Sequence, residues 1–379
     1  MMRAPNSFAI VVRRRDGSLH VRERRMPKED SGVRKIPFVR GVMSLVDSLK
    51  LGSEALRFSA DQLEKDMEAE ELEQARASSK AKKADKKAGL GASTLSMFGS
   101  LASFASRALT ALGLSLFVLT TSDDPPAAPE KKKGGAGMVV PLVLMIVVMW
   151  ALPQGSAALL NHGLGLKLEV QSPGFQAITG AFKLLIVVGY MSLLRRMRDT
   201  RRVFQYHGAE HKTISTYEAG EELTVQNARA KTTLHPRCGT TFLVMVVLIS
   251  ILTFTALGGA LPRIHTGRES LDNVLFFLVK LPFIPVIAGF TFEMQRIFAR
   301  FCTTGPLRAL LWPGFLVQKI TTIEPDDRQL EVALASLKAT LFREEGKPGD
   351  STDDVRFANY DAMLKASALR SAKRAAAAG

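Results

Sequence analysis

Thr240-Thr241-Phe242-Leu243-Val244-Met245-Val246-Val247-Leu248-Ile249-Ser250-Ile251-Leu252-Thr253-Phe254-Thr255-Ala256-Leu257-Gly258-Gly259-Ala260-Leu261 carries no charged side chain over its whole length. About 20 such residues in a helix cross the roughly 30 Å hydrocarbon layer of a bilayer. Three further stretches read the same way: 138–160, where a membrane helix tolerates Pro141 and Pro153, then 176–194 and 271–292. A fifth apolar stretch, 94–120, is rich in Ser, Ala and Gly and has Arg107 at its middle. A charge at that depth costs roughly 2.5 kcal/mol or more, so this segment reads equally as interfacial or re-entrant.

Basic clusters orient the spans. Lys131–Lys133 precede the first; Arg195, Arg196, Arg198, Arg201 and Arg202 follow the second; Arg296 and Arg300 follow the fourth. Four spans with both termini inside put every cluster in the cytosol, as the positive-inside rule requires. The 379 residues carry 51 Lys+Arg against 36 Asp+Glu, a formal charge of +15. Anionic lipid headgroups account for that excess, and no aromatic-basic pattern points to nucleic acid. Two cysteines, Cys238 and Cys302, exclude a secreted disulfide scaffold. Arg13–Arg15 interrupt the first apolar run, so no cleaved signal peptide is expected.

The expected fold is mainly α: a polytopic helical membrane protein with four transmembrane helices, one ambiguous extra segment and a small N-terminal β-hairpin region. Asp16-Gly17 between two β-rich runs marks the hairpin. Val42, Leu45, Val46, Leu49 and Leu56 give the next segment one apolar helix face. The chain therefore divides into 1–60, cytosolic hairpin plus amphipathic helix; 61–137, a charged linker or solvated helix leading into 94–120; 138–194, the first two spans; 195–239, a cytosolic loop; 240–292, the last two spans; 293–343, a cytosolic helical region; and 344–379, a mobile tail. Within 293–343, acidic residues at Glu324–Asp327 precede an apolar stripe from Leu330 to Leu341.

The chemistry concentrates in 195–239. His207-Gly208-Ala209-Glu210-His211 has the spacing H-x-x-E-H, which on a helix puts both imidazoles on one face within reach of one metal ion. Glu210 lies beside them, placed to act on a bound water as general base, in the inverted form of the zinc-peptidase motif. Glu218 and His235-Pro236-Arg237-Cys238 follow. His207, His211, His235 and Cys238 would close a tetrahedral structural site for a divalent metal, zinc being the expected one. If one stood off, Glu218 would be the third ligand and water the fourth, the open catalytic arrangement. The plainer reading makes these histidines interfacial polar groups beside arginines. Glu293 is a further candidate, a remote ligand or base, or else a salt-bridge partner of Arg296 or of the arginines at 195–202. Lys183, inside the second span, reads as snorkelling or paired, or as lining a polar pathway.

Five blocks carry a resemblance: Met1-Met2-Arg3-Ala4-Pro5-Asn6-Ser7-Phe8-Ala9-Ile10, Arg34-Lys35-Ile36-Pro37-Phe38-Val39-Arg40-Gly41, Arg202-Val203-Phe204-Gln205-Tyr206 running on to Lys212, Leu234–Thr240, and Thr321-Thr322-Ile323-Glu324-Pro325-Asp326-Asp327. In that order they resemble the signature blocks of the bacterial YqhQ-like family, domain of unknown function 1385. The resemblance implies a multi-pass protein of the bacterial cytoplasmic (inner) membrane, described as metal-dependent, with no established reaction. Its histidine blocks fall on His207, Glu210, His211, His235 and Cys238. Family members usually carry a Gly-Gly-Gln-Ala-Val stretch ahead of the block that begins here at Met1, so a start assigned too late is expected to have cost a first strand. Residues 94–133 look like an enlarged connection. Two functions are carried forward: a metal-dependent hydrolase acting on a peptide or lipid-derived substrate near the membrane, and a non-enzymatic scaffold, channel or transporter whose metal site is structural.

Overall fold

The computed structural model describes residues 1–26, 36–84, 151–257, 266–302, 305–345 and 353–368, with a few single positions between them. The segment 94–120, the Lys131–Lys133 cluster and residues 138–150 of the first expected span lie outside the described residues. In chain order the elements are strands β1 (Met2–Arg3), β2 (Ser7–Arg13) and β3 (Leu19–Arg25), then helices α1 (Val39–Ala84), α2 (Leu152–Gly163), α3 (Pro173–Arg196), α4 (Arg198–Glu218), α5 (Val225–Ala230), α6 (Gly239–Leu257), α7 (Glu269–Lys280) and α8 (Phe283–Phe301). A 3-10 turn at Pro306–Leu311 leads into α9 (Trp312–Thr321), α10 (Asp327–Glu345) and strand β4 (Asp353–Phe357).

The hairpin forms where Asp16-Gly17 places it. Gly17 has φ +85°, and the Asp16 carboxylate accepts from the Ser18 N–H and hydroxyl at 2.9 and 2.6 Å. The strands continue as one antiparallel sheet ordered β1-β2-β3-β4. Alternation sends Ala9, Val11, Leu19 and Val21 to one face, packed on Leu330, Leu334 and Leu337 of α10, while Phe8 and Ile10 meet Leu51 and Phe58 of α1 on the other. A helix on each face explains why β2 is apolar on both sides. Ser336 and Thr340 of α10 donate to the carbonyls of Ala9 and Met2 at 2.9 and 3.2 Å, tying chain ends more than 300 residues apart.

The expected mobile tail, 344–379, needs correction over its described part. Asp353–Phe357 pairs with β3 in the register Val355↔Val21 and Phe357↔Leu19, and Tyr360 and Met363 enter the same core as α10. A five-residue edge strand shows no core-forming pattern of its own, because its partner lies more than 300 residues away. Similarly, the charged stretch after residue 60 continues as helix, so α1 runs unbroken for 46 residues, roughly 69 Å at 1.5 Å per residue.

Two helices among the described residues, α3 and α6, are long and apolar enough to cross a membrane, or three if the bent pair α7–α8 makes one span. Four spans are thus an expectation that these residues meet only in part. The stretch expected to cross at 271–292 is broken by a 44° bend. Pro282 at the break has no N–H and crowds the preceding turn, so the helix restarts at Phe283. α3 is started by Ser172, whose side chain accepts from Phe175 N at 3.3 Å, with Pro173 in the first turn. Large apolar side chains on these helices face outward, Leu252 at 69% and Leu185 at 65% exposure, as a lipid-facing surface requires.

The loop expected over 195–239 is largely helical. α3 ends at Arg196, a single extended residue, Met197, turns the chain, and α4 carries the H-x-x-E-H motif. α1 docks on α8 through close contacts of Gly41 with Phe292 and of Gly289 with Phe38. Arg40 forms a two-pronged ion pair with Glu293 there, its Nε 2.6 Å from Oε1. Glu293 is therefore engaged by Arg40, rather than by Arg296 or the 195–202 arginines.

Candidate metal centre

The spacing of His207 and His211 puts them one turn apart on α4, and their rings meet edge to face with centroids 4.5 Å apart. Each ring is fixed by its Nδ1–H. His207 donates to the Thr321 carbonyl at 2.9 Å, and His211 donates to the Thr233 carbonyl at 2.5 Å. A carbonyl can only accept, so both imidazoles hold their proton on Nδ1 and turn Nε2 inward. That is the outer hydrogen bond typical of a metal-ligating histidine.

Cys238 meets them from the turn before α6, its Sγ 3.3 Å from His207 Nε2. The ligand atoms of His207, His211 and Cys238 all lie within 4.8 Å of one another. With zinc–nitrogen bonds of about 2.0 Å and zinc–sulfur bonds of about 2.3 Å, tetrahedral ligands stand about 3.5 Å apart, so these donors need only small closure. The donor set, two imidazoles and a thiolate, is one that zinc accepts.

The electrostatics prepare the same atoms. Burial pushes the Cys238 thiol up, but hydrogen bonds and charge from His207 and His211 outweigh it and hold the thiol well below its usual range. Burial likewise disfavours the charged His207 ring, yet Cys238, the Glu210 charge and the Thr321 carbonyl raise its pKa to about 9. The pair thus holds one proton between sulfur and nitrogen. Glu210, part-exposed on the same helix, reaches His207 through its charge and takes no place among the three donors.

His235 and Glu218 form a separate pair. His235 Nε2 lies 3.2 Å from Glu218 Oε2, its Nδ1 accepts from Arg237 N at 3.3 Å, and Arg237 binds the other Glu218 oxygen at 2.5 Å. Burial outweighs the Glu218 carboxylate and lowers the His235 pKa. Of the five expected ligands, the fold brings together three and sets two beside them. His235 still has a positional role through its backbone. Gln318, fully buried on α9, accepts from His235 N at 2.8 Å and donates to His235 O at 2.7 Å and to Thr241 Oγ1 at 2.5 Å. From α8, Gln295 donates to the carbonyls of Pro236 and Cys238 at 3.3 and 3.1 Å.

These supporting groups escape spacing arguments because they act from α8, α9 and the irregular segment after α5. One signal was present: the block Thr321–Asp327, whose acidic residues mark the start of α10, also supplies the carbonyl of Thr321 and a close seat for α4. Ile323 N donates to Phe204 O at 3.0 Å, and a Cβ on Gly208 would strike the Ile323 carbonyl. Asp326 and Gln329 cap α10 reciprocally, Gln329 N to Oδ1 at 2.8 Å and Asp326 N to Oε1 at 2.9 Å.

Fold and site define a mainly helical protein with membrane-length apolar helices and a buried imidazole–thiolate cluster at the end of one of them. The chain belongs to the family described as protein of unknown function (DUF1385), whose family model matches residues 36–343. It is 28% identical over 345 residues to the uncharacterized protein YqhQ of Bacillus subtilis (strain 168), covering 90% of this chain and 89% of that one. No solved structure matches it.

Proposed function

We propose that this is a multi-pass protein of the bacterial cytoplasmic membrane that holds one divalent metal, zinc by its donors, on His207, His211 and Cys238, and uses it as a hydrolase at the cytosolic face. The observation that carries this is the convergence of three ligand atoms while both Nδ1–H groups are held by backbone carbonyls. Three protein ligands leave a fourth position for water or substrate, whereas a structural site is closed by four. The expected fourth ligand, His235, has both ring nitrogens engaged by Glu218 and Arg237 N. When bound, the metal would acidify a water and polarise a carbonyl or phosphoryl oxygen. Glu210 would take the proton from that water, and His207 and His211 would offer Nε2 to the metal while their Nδ1–H groups stay on the carbonyls of Thr321 and Thr233.

In this reading both termini are cytosolic. The exposed Arg196, Arg198, Arg201 and Arg202 at the α3–α4 junction lie where anionic headgroups of the inner leaflet would sit, and the bilayer is the partner, with no nucleic acid. Metal content by mass spectrometry of detergent-purified protein is the test, with about one zinc per chain expected. Glu210→Gln should keep that metal and lose turnover of a peptide or lipid-ester panel. Turnover retained at the wild-type rate would remove Glu210 as the base, a metal-loaded wild type without turnover would assign the site a structural role instead, and absence of metal in the wild type would remove the hydrolase altogether.

The raised His207 pKa sets a pH dependence with a definite sign. Below about 9 the metal-free ring carries a proton that a ligand must lose, so binding releases one proton. Apparent zinc affinity should therefore rise about tenfold per pH unit from 7 toward 9 and then level off. Calorimetry in buffers of different ionisation enthalpy counts the released proton, and a flat profile between 7 and 8.5 would contradict the assignment.

A further inference from the structure

The 3-10 turn Pro306–Leu311 and α9 (Trp312–Thr321) distribute their side chains the wrong way round for water. The face of α9 that packs on α6 carries two polar groups, Gln318 and Thr321, buried beside Leu311 and Val317. It packs closely, since Gln318 donates to Thr241 Oγ1 at 2.5 Å and a Cβ on Gly314 would strike Thr241 Cγ2. The opposite face shows Trp312 at 53% and Leu316 at 52% exposure, one turn apart, with Lys319 next in the row. Leu307 and Leu310 of the 3-10 turn are likewise exposed. A helix meeting water hides its Trp and Leu and shows its Gln and Thr. An outward apolar run of this kind marks a membrane or a partner surface.

Three observations choose the membrane. The stretch 296–323 holds four Lys or Arg residues and no Asp or Glu, a charge of one sign that fits anionic headgroups. The apolar run also continues the outward surface of α8, whose last turns expose Ile297 and Phe301. Finally, α9 ends where α3 ends: Arg195, in the last turn of α3, donates to the carbonyls of Lys319, Ile320 and Thr322 at 2.5, 2.8 and 3.1 Å. Lys319 Nζ stands 6.0 Å from the Trp312 ring centroid, so an ammonium and an indole share the outer face, two groups that favour the headgroup level. Ten residues of helix extend roughly 15 Å, about half the hydrocarbon layer, so α9 is no crossing.

We propose that the 3-10 turn and α9 lie in the headgroup layer of the cytosolic leaflet, with Leu307, Leu310, Trp312 and Leu316 among the first carbons of the acyl chains and Arg308 and Lys319 among anionic headgroups. This takes 306–321 out of the cytosolic region to which the sequence pattern assigned 293–343. The buried face of the same helix supplies the Thr321 carbonyl to His207 and Gln318 to His235, which puts the metal centre about one helix diameter, roughly 10 Å, from the headgroups. The inference shares with the proposed function only the embedding in a bilayer.

Tryptophan fluorescence of the full chain in vesicles tests it. The chain has two tryptophans, Trp150 and Trp312, so Trp150→Phe leaves one indole to report. The vesicles are phosphatidylcholine with phosphatidylglycerol, the phosphatidylcholine brominated either near the headgroup end of its acyl chains or near their terminal methyls. Shallow bromine should quench Trp312 roughly twofold more than deep bromine, as burial about 5–10 Å into the headgroup/acyl boundary requires, and aqueous iodide should quench it little. If Trp150→Phe does not purify, the difference between wild type and Trp312→Phe reports the same indole. Strong quenching by iodide with none by either lipid would overturn the proposal by placing α9 in water. Stronger quenching by deep bromine would overturn it by placing α9 in the hydrocarbon core. Trp312 shielded from iodide and from both lipids would also overturn it, assigning the face to a protein partner or a second copy. Each of these outcomes on a chain that needs detergent for extraction leaves the membrane reading standing, whereas a chain that extracts without detergent would overturn both together.

Discussion

Replacing His207 and His211 together by alanine is expected to abolish stoichiometric metal and to leave a protein whose thermal stability no longer responds to chelator. A ligand that binds only the folded state stabilises it by about 4 kcal/mol when its free concentration is 1,000 times Kd, so chelation of the wild type should lower Tm by several degrees. The double variant removes two Nδ1–H bonds as well, to the Thr321 and Thr233 carbonyls, each buried against the same junction. A simple loss of stability would therefore be ambiguous. Cys238→Ser resolves it, since the hydroxyl keeps the shape and the contact to Thr240 but is a poorer zinc ligand. It should bind metal far more weakly while the metal-free protein melts close to chelated wild type. Wild-type and Cys238→Ser protein with equal zinc content would exclude the thiolate from the site.

Gly208→Ala should be among the most damaging glycine-to-alanine changes at the described residues. Its Cβ would enter the space held by the Ile323 carbonyl and press on the Thr233 side chain, and the first of these is backbone, which no rotamer change can clear. Overpacking of that kind costs typically 1–3 kcal/mol, more than the roughly 1 kcal/mol an alanine returns to a helix interior. The displacement would be delivered where the metal centre is least tolerant, because Ile323 is two residues from the Thr321 carbonyl that orients His207. We expect a Tm several degrees lower and weakened zinc binding in the same variant. Gly52→Ala on α1, where nothing lies within 4 Å of the added methyl, is the matched control and should be neutral or stabilising by up to about 1 kcal/mol. Similar effects at both positions would show that the Ile323 contact is not close.

Much of this architecture is legible in local pattern. The apolar helices α3 and α6 needed only composition, the hairpin needed Asp16-Gly17, and α10 needed its acidic first turn and apolar stripe. H-x-x-E-H located one side of the site because helical period places residues four apart on one face. The ligand count did not follow. His235 is as close in sequence to Cys238 as any zinc pair, but its ring is turned to Glu218 and Arg237, and only the path of the chain between α5 and α6 decides that. Glu293 had charged neighbours nearby in sequence and pairs instead with Arg40, more than 250 residues away.

The sequence by itself determined the apolar helices, the position of the hairpin and the residues able to bind a metal, because each depends on neighbours within a turn or a strand length. Tertiary structure alone decided that a tail strand closes the N-terminal sheet, that Pro282 bends the last apolar segment beside Lys280, and that three donors rather than five converge. Those outcomes depend on which distant backbone carbonyls and side chains packing brings within about 3 Å, a distance at which hydrogen bonds fix orientation and which no local spacing encodes.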